Sequence, residues 1–136
     1  MSATNTGEMR TGLGPIRIGV ILLSLVTAGV HLYLFLIEGF LGDGTMLPIY
    51  QLLFVGNFFA YVTLAVALYL ITPLARFRPV VRALIIAIAV ASIISYFYVG
   101  VTDTTGDVTK IIEVLLIALL TVDAATSGSE ARSSER

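Results

Sequence analysis

The chain has 136 residues, 57% of them hydrophobic and only 12% charged, with a mean hydropathy of +0.98; a soluble domain is about one quarter charged. A formal net charge of −1 gives no support to a nucleic-acid partner, and the lack of cysteine excludes disulfides, thiolate metal sites and thiol catalysis. The lipid bilayer is the partner this composition fits, and crossings of roughly 20 apolar residues each leave no length for a soluble domain.

Residues 1–14 are polar and glycine-bearing and read as a cytoplasmic N-terminal tail. The apolar run that follows lacks the short core and cleavage site of a secretory signal, so it reads as an uncleaved first span. A transmembrane domain is expected over 15–126, with spans at about 15–40, 47–72, 79–101 and 107–125. Pro15, Pro48 and Pro79 open three of them, where a missing N–H costs nothing and a fixed φ suits the first helical turn. Asp107 is the expected N-cap of the fourth. Gly39, Gly42 and Gly44 break the first connection, Pro73 ends the second span, and Gly100 and Gly106 frame the third connection. Connections this short make sequential helices antiparallel neighbours, so the expected fold is an all-α membrane protein with four transmembrane helices in an antiparallel up-down bundle. Residues 127–136, rich in Ser, Glu and Arg, read as a disordered cytoplasmic C-terminal tail.

Arginine placement gives the orientation. Arg10 and Arg17 precede or open span 1, Arg76, Arg78 and Arg82 join spans 2 and 3, and Arg132 and Arg136 follow span 4. The opposite connections carry Glu38, Asp43, Asp103 and Asp107, with Lys110 as the one basic residue there. By the positive-inside rule Arg76, Arg78 and Arg82 are cytoplasmic topology determinants, and both termini of this cell-membrane protein lie inside.

Depth sorts the polar residues. Ser24, Thr27, His31 and Glu38 share one face of span 1, with His31 roughly 10 Å below its outer end at 1.5 Å per residue. Tyr50, Asn57, Tyr61 and Thr72 share a face of span 2, Ser92, Ser95 and Tyr96 lie toward the outer end of span 3, and Glu113 is expected about one turn below the outer boundary of span 4. Polar side chains at membrane depth face protein rather than lipid. A polar pocket open to the outside is therefore expected around His31, Tyr50, Asn57, Tyr96 and Glu113, above an aliphatic inner half. Three roles are open to His31: an imidazole that ties helices together, a ligand- or proton-carrying group, and a residue placed at the lipid interface. Glu113 can instead pair with Lys110 three residues earlier, and Asp123 with the arginine connection. Ala83, Ala87, Ala91 and Ser95 form a small-residue face suited to close helix packing, read here as packing within the chain. The Asp103–Asp107 segment lacks the alternation and closing Glu of a calcium loop and reads as a solvated turn.

The run Gly29-Val30-His31-Leu32-Tyr33-Leu34, followed by Glu38-Gly39 and by Pro48 and Gln51 in the next span, resembles a family of small four-span integral membrane proteins, chiefly haloarchaeal, with looser relatives in actinobacteria. That resemblance implies the four-span fold and brings no activity, cofactor or catalytic residue. The spans offer no mid-membrane charge pair, no discontinuous helix, no metal set and no nucleophile paired with a base, so no enzyme and no cofactor is expected. The leading reading is a non-enzymatic packing or accessory subunit, partnered by its own copies or by a larger membrane complex. The alternative is a small transporter or proton-coupled exporter using the outer pocket. Small multidrug exporters match in size and span number, but their essential carboxylate sits mid-span, where span 1 here has Thr27, Ala28 and His31. A haem, copper or quinone accessory protein using His31 is the third reading.

Overall fold

The computed structural model describes residues 13–100 and 102–135, and residues 1–12, which hold most of the expected N-terminal tail and Arg10, lie outside them, as do residues 101 and 136. The described residues are helical and contain no strand. They form α1 (Pro15–Tyr33), α2 (Pro48–Tyr69), α3 (Arg78–Val99) and α4 (Thr104–Ser134). A π-helical segment, Leu34–Phe40, prolongs α1, and a 3₁₀ turn, Thr72–Phe77, leads into α3.

Proline opens α1, α2 and α3 as the sequence reading expects. The fourth start differs. Asp103, not Asp107, is the N-cap of α4: its carboxylate accepts from Gly106 N–H at 2.7 Å, while Asp107 already lies in the first helical turn. The second span also ends earlier than expected, at Tyr69, and Pro73 sits inside the 3₁₀ turn rather than at the helix end. Residues 127–134, expected as a disordered tail, continue α4. Ser127, Ser129 and Ser133 bond back to carbonyls four residues earlier, so the serines in this polar stretch turn onto the helix itself.

Three helical stretches, Pro15–Phe40, Pro48–Tyr69 and Thr72–Val99, are long and apolar enough to cross a membrane. The fourth helix is not among these candidates. Between Glu113 and Asp123 it offers only Val114–Val122 as an uncharged run, which is about 14 Å of helix against about 30 Å of hydrocarbon. On the outside of the molecule lie Leu22, Val26, Leu52, Phe59, Ile94 and Val114, all more than 40% exposed, a surface that water would penalise.

Helix α1 packs on α2 and α4, and α3 packs on the same two, closing a ring. Side-chain pairs give the running directions. Arg17 meets Asp123 and Gly19 lies against Leu119, so α1 and α4 run oppositely; Arg82 meets Asp123 and Ser92 meets Lys110, so α3 and α4 do too. Tyr61 and Tyr69 of α2 reach Glu113 and Asp123 of α4, which places these two helices in parallel across the diagonal. The core at the centre of the ring is Val20, Ala28, Tyr61, Leu68, Ile85, Leu116 and Leu120.

One expected packing face is elsewhere. Ala83, Ala87, Ala91 and Ser95 are all exposed, whereas α3 turns Val81, Arg82, Ile85 and Ala89 into the ring. A spacing of four marks a stripe but not its direction. Here the bulkier neighbours fill the interior, and the close approach between helices falls instead at Gly19 of α1, where an added Cβ would stand 2.9 Å from Leu119 Cδ1.

Candidate functional site: a polar cavity at one end of the ring

At the end of the ring that holds the α1–α2 and α3–α4 connections lies a cavity of about 430 Å³ lined by residues of all four helices. His31, Glu38, Tyr50, Asn57, Ser92, Ser95, Tyr96 and Lys110 are among its polar lining, and Leu34, Leu53, Phe54, Ile88 and Val99 among its apolar lining. Four of the five expected pocket residues, His31, Tyr50, Asn57 and Tyr96, line it. The fifth, Glu113, stands behind the wall, fully buried, and reaches the cavity through Lys110.

The helix pattern explains why these side chains meet. On α1 the buried residues Val20, Ser24, Thr27, Ala28 and His31 follow a helical repeat, so the face that enters the ring is polar toward the C-terminal end of the helix. Ser24 and Thr27 are fully buried and His31 only 3% exposed. Glu38, expected on the same face, is exposed at the rim, beyond the point where the π-helical segment breaks the α-helical register. Such segments recur at functional sites because one wider turn re-aims the residues after it.

His31 Nδ1 lies 2.8 Å from the Thr27 carbonyl. A carbonyl only accepts, so the ring proton sits on Nδ1 and the neutral ring keeps Nε2 as an acceptor. Phe54 meets the ring edge-on at 6.0 Å, and Tyr61 tilts against it at 5.8 Å. The Tyr61 hydroxyl donates to Glu113 Oε1 at 3.3 Å, Lys110 Nζ donates to Glu113 Oε2 at 2.7 Å, and the same ammonium donates to Ser92 Oγ at 2.6 Å. Lys110 also lies 5.6 Å from the centre of the Tyr96 ring. The expected Lys110–Glu113 pair is thus present, but as a buried one. With α4 starting at Thr104, Glu113 lies about 14 Å into the helix.

The rim is held by a second set of bonds. Tyr96 OH donates to Asp107 Oδ1 at 2.8 Å and accepts from Asp103 N–H at 3.1 Å, which joins the end of α3 to the start of α4. Gly106 is packed under the Tyr96 ring, where any Cβ would collide with it. Across the opening, Gln51 Nε2 donates to the carbonyls of Gly39 and Met46 at 3.4 and 3.3 Å. A Cβ on Gly39 would press on Gln51 Cγ at 3.1 Å, so Gly39 and Gln51 form one structural unit.

A second polar cluster closes the other end. Asp123 accepts from Arg82 Nη2 at 2.6 Å, from Tyr69 OH at 2.8 Å and from Arg17 Nε at 3.4 Å. The expected bridge from Asp123 to the arginine connection is therefore made by Arg82. Arg78 Nε donates instead to the Leu68 carbonyl at the end of α2, and Arg76 lies over the Phe77 ring at 4.6 Å. Glu113 and Asp123 of α4 are both buried in ion pairs, each matched by a cation on a helix beside it or on its own.

Tyr61, Tyr69 and Phe54 were not singled out as site residues by sequence reasoning. Their signal was weak, since aromatic residues on an apolar helix are ordinary core material. Among the described residues no group of three or more His, Asp or Glu side chains gathers as a metal ion would need. No family model, no curated protein and no solved structure matches this chain.

Proposed function

We propose that the protein is a non-enzymatic, four-span membrane protein whose outer cavity binds a small amphipathic molecule. The carrying observation is the cavity itself: a roomy space with a mixed apolar and polar lining that includes Lys110, which is paired with the buried Glu113. Ligand sites have this composition, mostly apolar with a few placed polar groups. In this reading α4 is the fourth span despite its charges. Glu113 and Asp123 both turn into the ring and are paired there, so lipid never meets them. The arginine end is cytoplasmic, with both termini inside, and the cavity faces outward.

Binding is favoured over passage in this conformation. Below the cavity Leu68, Ile85, Leu116 and Leu120 fill the ring, and the Asp123 cluster lies beneath them. Native mass spectrometry after mild-detergent purification tests the reading. The wild-type protein carries a small molecule that Ser95→Trp, which fills the cavity, has lost; equal bare masses for both would refute it.

The accessory-subunit reading keeps one specific observation in its favour. Ala83 and Ala87 are exposed on α3 at a spacing of four, a small-residue stripe open to a partner helix. Bulky substitutions there break a homo-oligomer or a complex if that face is used, and leave a binding protein's ligand mass unchanged.

A further inference from the structure

At the cytoplasmic end lies a second cavity, of about 480 Å³, unconnected with the ligand reading of the outer one. Arg17 from the first turn of α1 and Arg78 and Arg82 from the first turns of α3 line it, facing Ser127 and Glu130 of α4. We propose that these three arginines form a binding site for the phosphate group of an anionic molecule.

The charge count supports this. Asp123 is shared between Arg82 and Arg17, so one carboxylate serves two guanidinium groups. Glu130 lines the cavity but forms no ion pair among the described residues, and Arg78 spends its Nε on an uncharged carbonyl. Three arginines against Asp123 and Glu130 leave an excess of positive charge in a partly enclosed space.

Hydrogen bonding points the same way. Arg82 is only 9% exposed, yet its Nε is buried without a partner among the described residues. An unmet buried donor is costly, and a guanidinium that lines a cavity can turn a donor toward an acceptor bound there. Arginine forks match phosphate oxygens in pairs. The N-terminal ends of α1 and α3 add their positive dipole ends on the same side. Cytoplasmic basic pockets between membrane helices bind lipid headgroups by this chemistry, and a free phosphate presents the same oxygens.

Thermal unfolding of the full chain in neutral detergent, titrated with phosphatidylglycerol, phosphatidylcholine or inorganic phosphate, tests the site. The expected result is a saturable rise in midpoint with phosphatidylglycerol and none with phosphatidylcholine. Arg78→Gln weakens the apparent affinity about tenfold, as the loss of one charge-assisted bond does, while Arg76→Gln, in the same connection but off the cavity, leaves it unchanged. Arg17→Gln, which spares the Leu68 bond, weakens it likewise and covers the case of an unstable Arg78 variant. The same arginine dependence with inorganic phosphate assigns the site to a free anion rather than a lipid. No saturable shift with either anion, or equal losses for Arg76→Gln and Arg78→Gln, would overturn the proposal.

Discussion

Two Tyr–acid–cation clusters sit one above the other in the same ring, and they are built to different ends. Tyr61 and Glu113 are buried behind the wall of the outer cavity, and Lys110, bonded to Glu113, lines it. Tyr69, Asp123 and Arg82 are tied further by Arg17, with α2 and α4 supplying tyrosine and acid in both cases. The acids are ten positions apart on α4, about 15 Å, and Leu68, Ile85, Leu116 and Leu120 separate them. In the lower cluster Asp123 accepts from three side chains on three helices, α1, α2 and α3. In the upper one the cation comes from the acid's own helix, one turn away, which ties fewer helices together. The difference teaches that similar chemistry can serve as a clamp when it is cross-linked and as a site when it borders open space.

Removing Asp123 should break the comparison most severely. Asp123→Ala leaves Arg82 buried beside Arg17 with no carboxylate, and a loss of about 3–5 kcal/mol is expected from stranding a buried charge, read as the unfolding free energy in detergent. Glu113→Gln should cost less, about 1–3 kcal/mol, because Lys110 can turn toward the cavity; equal losses for the two variants would erase the distinction between clamp and site. Tyr69→Phe and Tyr61→Phe sharpen it further. The bond from Tyr69 is 2.8 Å and that from Tyr61 is 3.3 Å, so the first loss should be the larger, both within about 0.5–3 kcal/mol, by the same measurement. The smallest effect is expected at Ser24, whose hydroxyl is buried without a partner among the described residues. Ser24→Ala removes an unmet polar group and should be neutral or stabilising by up to about 1 kcal/mol; a large destabilisation would mean that the hydroxyl is bonded after all.

Much of the fold is legible in the sequence because its signals are local. Pro15, Pro48 and Pro79 mark helix starts within one residue, and apolar runs mark three helices that could cross a membrane. The failures are also physical. Asp103 and Asp107 are one turn apart and equally good caps by type; in the fold Asp103 takes the Gly106 N–H while Asp107 takes the Tyr96 hydroxyl, a partner from another helix that spacing does not reveal. The stripe from Ala83 to Ser95 has the right spacing for close packing, but the ring is entered by Ile85 and Ala89, and spacing carries no direction. The polar face of α1 was readable, since Ser24, Thr27 and His31 repeat as a helix does, and so was the Lys110–Glu113 pair at a spacing of three. The diagonal reach of Tyr61 and Tyr69 to α4 was not, because it depends on which helices are opposite one another in the ring.

A chain without cysteine allows the central claim, an outward cavity over a closed cytoplasmic end, to be tested by placing single thiols. Ser95→Cys lines the outer cavity and Ala75→Cys lines the arginine end. A membrane-impermeant maleimide added to intact cells is expected to label Ser95→Cys at once and Ala75→Cys only after the membrane is opened. Labelling of Ala75→Cys from outside, with Ser95→Cys protected, would contradict the account.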